Sequence, residues 1–245
     1  MASCYGSISP PLGGSARGLP YLPIKSKLDD ETPVEIDVFR DSEHPAGHRL
    51  LNGVIKEGLS WPFEEPMDMD AFRAYFLSHA AFVVRVTPPA PPAETPGGGG
   101  GGGGGGETPS ADGGAKVKAG TDEEVGVWGA FYIKPNFPGR CSHVCNGGFI
   151  TDPLRRRRGV ARLMGQAFKK FAKDLGYRAS YFNLVFRSNE ASLRLWRGLG
   201  FTELAVVPKA GRLKGIEGLV DAIQFHYDLD ALREEDLPED LRESP

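Results

Sequence analysis

The run Arg156-Arg157-Arg158-Gly159-Val160-Ala161 stands between the apolar pair Phe149-Ile150 and a strongly periodic helix. In that helix Val160, Leu163, Met164, Ala167, Phe168, Phe171 and Leu175 recur at spacings of three and four, and Gly176 is placed to stop it. A strand that turns through a short basic segment into an amphipathic helix directs the chain toward an α/β arrangement. The same turn suggests a chemistry. The first turn of a helix has no earlier carbonyls to bond its amides and carries partial positive charge, so an anion can take that place. Gly159 has no side chain to hold an anion away from the backbone, Ala161 is nearly as small, and arginines fork onto phosphate oxygens. Taken alone, four arginines in a row also fit a solvated basic run, a nucleic-acid patch or a nuclear import signal. Their place between strand and helix favours a pyrophosphate cradle.

The rest of the composition narrows the field. With 245 residues, 40% hydrophobic and 25% charged, the chain has the makeup of a globular protein with one sizeable core. The formal net charge of −3 argues against a general nucleic-acid binder, and no apolar run approaches the length of a membrane span. Cys4, Cys141 and Cys145 are few and odd in number, which reads as free thiols in a reducing compartment. Cys141, His143 and Cys145 would share a strand face, but their spacing matches no usual zinc pattern, so no metal is expected. Residues 1–30 read as a disordered tail of a cytoplasmic protein; a mitochondrial presequence is the alternative, disfavoured by the prolines and glycines between Pro10 and Pro23.

Alternation marks strands at Pro33 to Arg40, Ala81 to Val86, Val125 to Ile133, Ser142 to Thr151, Ser180 to Phe186, Thr202 to Val207 and Asp221 to Leu229. Helices are expected at His48 to Leu59, Asp68 to Ser78, Val160 to Leu175 and Glu190 to Leu199, with a Trp61-Pro62-Phe63 loop between the first two. Residues 87–124, with ten consecutive glycines at Gly97 to Gly106, read as a flexible insertion that interrupts the domain without splitting it. Gly147-Gly148 inside a strand marks a bulge or a close approach by another chain or ligand. The domain is expected over 31–230, followed by an acidic, solvated tail at 231–245.

A second segment, Asn189-x-x-Ser192-x-x-x-Trp196-x-x-x-Gly200-Phe201, is a capped helix closed by a glycine turn. With Arg156-x-x-Gly159-x-Ala161 it resembles the paired signatures of the GNAT superfamily of acetyl-CoA-dependent N-acetyltransferases. The segments Lys134-Pro135-Asn136, Cys141 to Asn146, Phe182 to Phe186 and Pro208 to Gly215 look like the fungal enzymes of that superfamily that acetylate L-azetidine-2-carboxylate and related proline-like amines. The resemblance implies a single α/β (α+β) domain with a mixed, mostly antiparallel seven-stranded sheet and helices on both faces. It implies acetyl-CoA as co-substrate and a small-molecule amine as partner, and a homodimer is compatible with it. The backbone of Phe149, Ile150 and Thr151 would run beside the pantetheine arm, and Arg156, Arg157, Arg158, Gly159, Val160 and Ala161 would wrap the pyrophosphate. Asn189 would approach the cofactor from the following helix, while Asn146 and Asn183 would contact the acceptor.

Acetyl transfer needs a neutral amine, a polarised thioester carbonyl and a stabilised leaving thiolate. A backbone N–H freed by a bulge near Phe149 or Ile150 can polarise the carbonyl, and neither Cys141 nor Cys145 has an evident activating base, so direct attack in a ternary complex is expected. Trp196 stands where the wider family commonly has a tyrosine that protonates the thiolate, and an indole N–H is no useful acid. His143, Glu64 and Glu65 are the candidate bases. Asn183, grouped with Tyr181 and Val185 on one strand face, needs a hydrogen-bonding partner, either protein or substrate. Acetylation of a peptide or protein amine, and a non-catalytic acetyl-CoA-binding module, stand as alternatives.

Overall fold

The computed structural model describes residues 19–87 and 126–242. The insertion expected at 87–124 therefore falls almost wholly outside the described residues, as do Cys4 and most of the expected N-terminal tail.

Eight strands form one sheet: β1 (Ile24–Lys27), β2 (Pro33–Val38), β3 (Ala80–Val86), β4 (Val127–Pro135), β5 (Val144–Thr151), β6 (Ala179–Phe186), β7 (Thr202–Gly211) and β8 (Val220–Asp228). Their order is β1-β2-β3-β4-β5-β6-β8-β7. Every neighbouring pair is antiparallel except β5 and β6, which run parallel. Helices α1 (His44–Glu57) and α2 (Met69–Phe76) precede β3, α3 (Val160–Asp174) links β5 to β6, and α4 (Glu190–Gly198) links β6 to β7. Among the described residues no helix is long and apolar enough to cross a membrane.

The eighth strand corrects the expectation of seven. Residues 19–30 lack the alternating pattern that announces a half-buried strand, yet β1 pairs along β2 and Leu19, Ile24 and Leu28 are buried. The acidic C-terminal segment is corrected in the same way. Leu232, Leu237 and Leu241 are buried in the core shared with α3 and β1, and two short turns at Glu234–Asp236 and Glu239–Leu241 place Leu237 and Leu241 inward between solvated acids.

Both sheet faces are covered. Leu163, Met164, Ala167, Phe168 and Phe171 of α3 pack with Phe82, Phe131 and Ile133 on one face, while Leu51, Val54 and Ile55 of α1 and Phe72 and Phe76 of α2 pack with Val83, Ala130 and Tyr132 on the other. The period of two along β4 sends Phe131 and Ile133 one way and Ala130 and Tyr132 the other. α1 starts four residues earlier than its apolar period implies, because Pro45 supplies a favourable first turn. It ends at Gly58, whose φ of +69° suits a left-handed cap.

Arg85 fixes α1 to the sheet. It is 6% exposed and donates to both oxygens of Glu43 at 2.7 and 2.9 Å, to Glu35 at 2.6 Å, to Asp37 at 2.9 Å and to the carbonyl of Val38 at 2.9 Å. One guanidinium here serves three carboxylates, so removing Arg85 would leave the buried Glu43 charge uncompensated at a cost of about 3–5 kcal/mol.

Candidate functional site

The parallel pair β5 and β6 stays together for only two rungs, Val144 with Ala179 and Cys145 with Ser180. Beyond them the strands part, and a cavity of about 900 Å³ opens in the gap. Two local features produce the parting. In β6 the register against β8 shifts between Phe182 and Val185, so one extra residue bends the strand at Asn183-Leu184. In β5 the ladder to β4 is regular from Cys145 to Thr151, so of the two readings of Gly147-Gly148, a bulge or a close approach, the bulge falls away. A Cβ at Gly147 would lie 2.6 Å from the Phe168 ring, and one at Gly148 would lie 2.5 Å from the Tyr132 ring.

The β4 ladder decides which amides of β5 face the gap. The carbonyl of Val144 accepts from Asn136 at 2.8 Å, and Asp152 N–H donates to Trp128 at 2.9 Å, so the even-numbered residues bond β4. Alternation therefore turns the N–H groups of Gly147, Phe149 and Thr151 toward the gap. Gly147 N–H is taken up by the side chain of Asn146 at 2.8 Å. Phe149 and Thr151 present theirs to the cavity, so parted strands replace the expected bulge as the source of a carbonyl-polarising amide.

At the far end of β5 lies the start of α3. Its cap residue, Gly159, has a φ of +88° and supplies no capping side chain, which leaves the amides of Val160, Ala161 and Arg162 directed at the cavity. Arg157 also adopts a left-handed φ, +63°, so the chain curls twice before the helix begins. Arg155, Arg156 and Arg157 line the cavity. Arg156 is held by both oxygens of Glu57 at 2.8 Å across the cleft. Arg158 turns away, a correction to its expected place in the cradle. It pairs with Asp30 at 3.2 Å and lies over the Trp128 ring, which also carries Arg155. The acidic turn between β1 and β2 captures it, and that turn is invisible without β1.

The opposite end of the cavity is built from side chains. Asn183 and Asn136 bond reciprocally, amide to amide, at 2.6 and 3.2 Å. Thus the partner that Asn183 requires is a side chain just beyond β4. The bulge removes Val185 from its expected company with Asn183, since Phe182 and Val185 both pack toward the α3 core. Trp61, Pro62, Tyr75 and Tyr132 wall this end, and the hydroxyls of Tyr75 and Tyr132 meet at 3.0 Å. Burial pushes both phenols up, Tyr132 strongly, so they stay protonated at neutral pH. Lys134, opposite Asn146 in the β4–β5 register, sits with Nζ 4.1 Å from the centre of the Tyr75 ring and 4.3 Å from that of Tyr132.

The structure brings Asn146, Phe149, Ile150, Thr151, Arg156, Arg157, Gly159, Val160, Ala161, Asn183 and Asn189 to one cavity, with Arg158 outside it. Asn189 caps α4 by accepting from Ser192 N–H at 3.1 Å. Trp196 lines the cavity within an aromatic cluster, 4.8 Å from Phe149 and 4.7 Å from Phe182. His143, Glu64 and Glu65 are not among the lining residues. Cys145 is buried and free, its thiol pushed up by burial, and Cys141 is free and exposed on the turn before β5. Sequence reasoning missed Glu57, Arg155, the Tyr75–Tyr132 pair and the role of Asn136. The available signal was Tyr132-x-Lys134-x-Asn136, three polar-tipped residues on one face, which gains meaning only from the β5 register.

Residues 112–201 match the profile of the Acetyltransferase (GNAT) family. The architecture is a GNAT-like α/β domain: a GCN5-related N-acetyltransferase from Kribbella flavida superposes with a TM-score of 0.61 at 20% identity, over 80% of this chain and 97% of that one. The structure of yncA from Salmonella typhimurium, solved with its cofactor acetyl-CoA, superposes with a TM-score of 0.60 at 16% identity, over 81% and 95%. At such identities the likeness establishes the fold. N-acetyltransferase aca1 of Schizosaccharomyces pombe is 48% identical over 116 residues, 47% of this chain and 56% of that protein. Protein SPT10 of Saccharomyces cerevisiae is 34% identical over 97 residues, 40% of this chain and 15% of that protein. The chain thus spans about half the length of the first of these relatives and much less of the second.

Proposed function

We propose that the protein is an acetyl-CoA-dependent N-acetyltransferase acting on a small amine, an amino acid or a proline-like imino acid. The observation that carries this reading is the parting of β5 from β6 above the uncapped start of α3. It gives one cavity an anion cradle at one end, two strand amides in the middle and a polar, aromatic-walled recess at the other. The fit to acetyl-CoA rests on that cradle: the first amides of α3 have no side-chain cap, and Arg155, Arg156 and Arg157 face the same space. In this reading the pantetheine arm extends along β5. The N–H of Phe149 or Thr151 then polarises the thioester carbonyl.

The neutral acceptor amine attacks the carbonyl carbon directly, forming the C–N bond as the C–S bond breaks; the bonding electrons leave on the coenzyme A sulfur, and the proton lost from nitrogen is taken up by solvent, which protonates that thiolate. Holding both reactants in one cleft supplies the proximity that the step needs. Cys145 is walled off and its thiol disfavours ionisation, while Cys141 does not line the cavity, which supports direct attack over an acyl-enzyme. A thiol-release assay across amino acids, proline analogues, polyamines and peptides, with calorimetry of acetyl-CoA binding beside it, tests the reading. Release of coenzyme A with azetidine-2-carboxylate or a related imino acid is expected. Turnover confined to peptides would transfer the reading to a protein N-acetyltransferase, and absence of acetyl-CoA binding would end it.

A further inference from the structure

An ammonium partly withdrawn from water ordinarily finds a carboxylate, and Lys134 has none. Among the described residues its Nζ makes neither a hydrogen bond nor an ion pair; it rests between the faces of Tyr75 and Tyr132, at 4.1 and 4.3 Å from their centres. The neighbouring groups on its side of the sheet are neutral: Asn146 across the ladder, Asn136 two residues on and Asn183 bonded to it. Tyr75, Tyr132, Asn146 and Asn183 all line the cavity, so the ammonium stands directly behind its wall. Two aromatic faces attract a cation but supply no oxygen for its three donors.

We propose that Lys134 is a specificity-determining residue that reads the carboxylate of the acceptor, so that the recess selects amino or imino acids over amines lacking an acid group. The inference rests on the acetyltransferase reading above and names its substrate class. The tyrosine rings hold the ammonium in place before the substrate arrives, and the amides of Asn146 and Asn183 can share the remaining polar contacts of a small zwitterion. A carboxylate in this recess attracts, from behind the tyrosine wall, a cation that is charged at neutral pH, since burial draws Lys134 down only to about 8. The same positive charge disfavours the ammonium form of the acceptor nitrogen, which must be neutral to attack. A role for Lys134 as the general base fits less well, because ring contacts favour its protonated form.

The test compares azetidine-2-carboxylate with azetidine, which lacks only the acid group, on the wild-type full chain and on Lys134→Met, which keeps an unbranched apolar stem between the rings. The expected result is a KM for azetidine-2-carboxylate raised about 10- to 100-fold, with kcat nearly unchanged and both azetidine turnover and the KM for acetyl-CoA within twofold. Lys134→Arg should recover part of the loss. Equal losses with both acceptors would make the residue a structural clamp, and a kcat fall with both would make it a base; either overturns the proposal. If neither acceptor releases thiol, the acetyltransferase reading is decided separately by acetyl-CoA binding and the wider acceptor panel, and calorimetry on protein saturated with coenzyme A still decides this one. Wild-type binding of the acid that is lost in Lys134→Met supports it, whereas equal binding by both proteins, or none by the wild type, overturns it.

Discussion

The two ends of the cleft are made from different material. The cradle end is backbone: the uncapped amides of α3, the left-handed Arg157 and Gly159, and the strand amides of Phe149 and Thr151. The recess end is side chain: Asn136, Asn146 and Asn183, the Tyr75–Tyr132 pair and Lys134, brought from α2, β4, β5 and β6. Backbone recognition suits a constant feature such as a pyrophosphate, because main-chain donors persist through most substitutions. Side-chain recognition can be rewritten one residue at a time, so the recess is where a fold of this kind can change its acceptor.

The largest loss is expected from damage to the backbone of the cradle. Gly159→Glu places a side chain at a φ of +88° whose Cβ would lie 3.0 Å from the Asp29 carboxylate. Calorimetry should register acetyl-CoA affinity reduced by two orders of magnitude or more, with the circular dichroism spectrum retained; binding within a few-fold of wild type would remove the cradle from the site. The complementary change, Asn183→Ala, strands the Asn136 amide and should lower kcat/KM for the acceptor about 10- to 100-fold while acetyl-CoA affinity stays within twofold. Loss of both together would mean that the two ends are not separable.

A pH series sharpens the difference further. Lys134 titrates at about 8, lowered from 10.5 by burial, and the titratable groups facing it, Tyr75 and Tyr132, are both pushed upward and stay neutral through that range. The ratio of kcat/KM for azetidine-2-carboxylate over azetidine should therefore fall severalfold, on the order of 10-fold, between pH 7 and 9.5, since deprotonation of the acceptor amine affects both and largely cancels. Stability moves the other way. Between about 8 and 10.5 the unfolded chain holds a proton on this lysine that the folded chain has released, so its contribution makes the protein more stable as pH rises. The smallest effect is expected from Glu57→Gln. It frees Arg156 from a half-exposed pair and should tighten acetyl-CoA binding two- to threefold at low salt, with the gain fading as ionic strength rises.

The contrast between the two ends also explains what could be read from the sequence. The cradle is contiguous: a strand, a basic turn and a helix with period 3.6, each with a local signal, and the structure gathers all but Arg158 of its expected residues at one cavity. Arg158 was misread because its partner, Asp30, lies more than a hundred residues earlier, beside a strand of four residues with little pattern of its own. Asn146 and Asn183 could be singled out through a family resemblance, but Asn136, Tyr75 and Tyr132 could not, because their meeting depends on the β4–β5 register and on a bulge in β6. The glycine pair left two readings open, a bulge or a close approach: one sequence signal serves both a kinked strand and a strand crowded by its neighbours, and only the ladder, regular here beside aromatic rings, separates them.

The two-rung pairing of β5 with β6 gives this strand an uneven relation to solvent. Its even-numbered amides are locked to β4, while those of Phe149 and Thr151 look into the cleft. In the ligand-free protein, deuterium should enter β5 at every second residue, quickly at Phe149 and Thr151 and slowly at Gly148, Ile150 and Asp152. A ligand lying along the strand would slow those two positions toward their neighbours, so residue-resolved hydrogen exchange could report occupancy of the cleft before any acceptor is known.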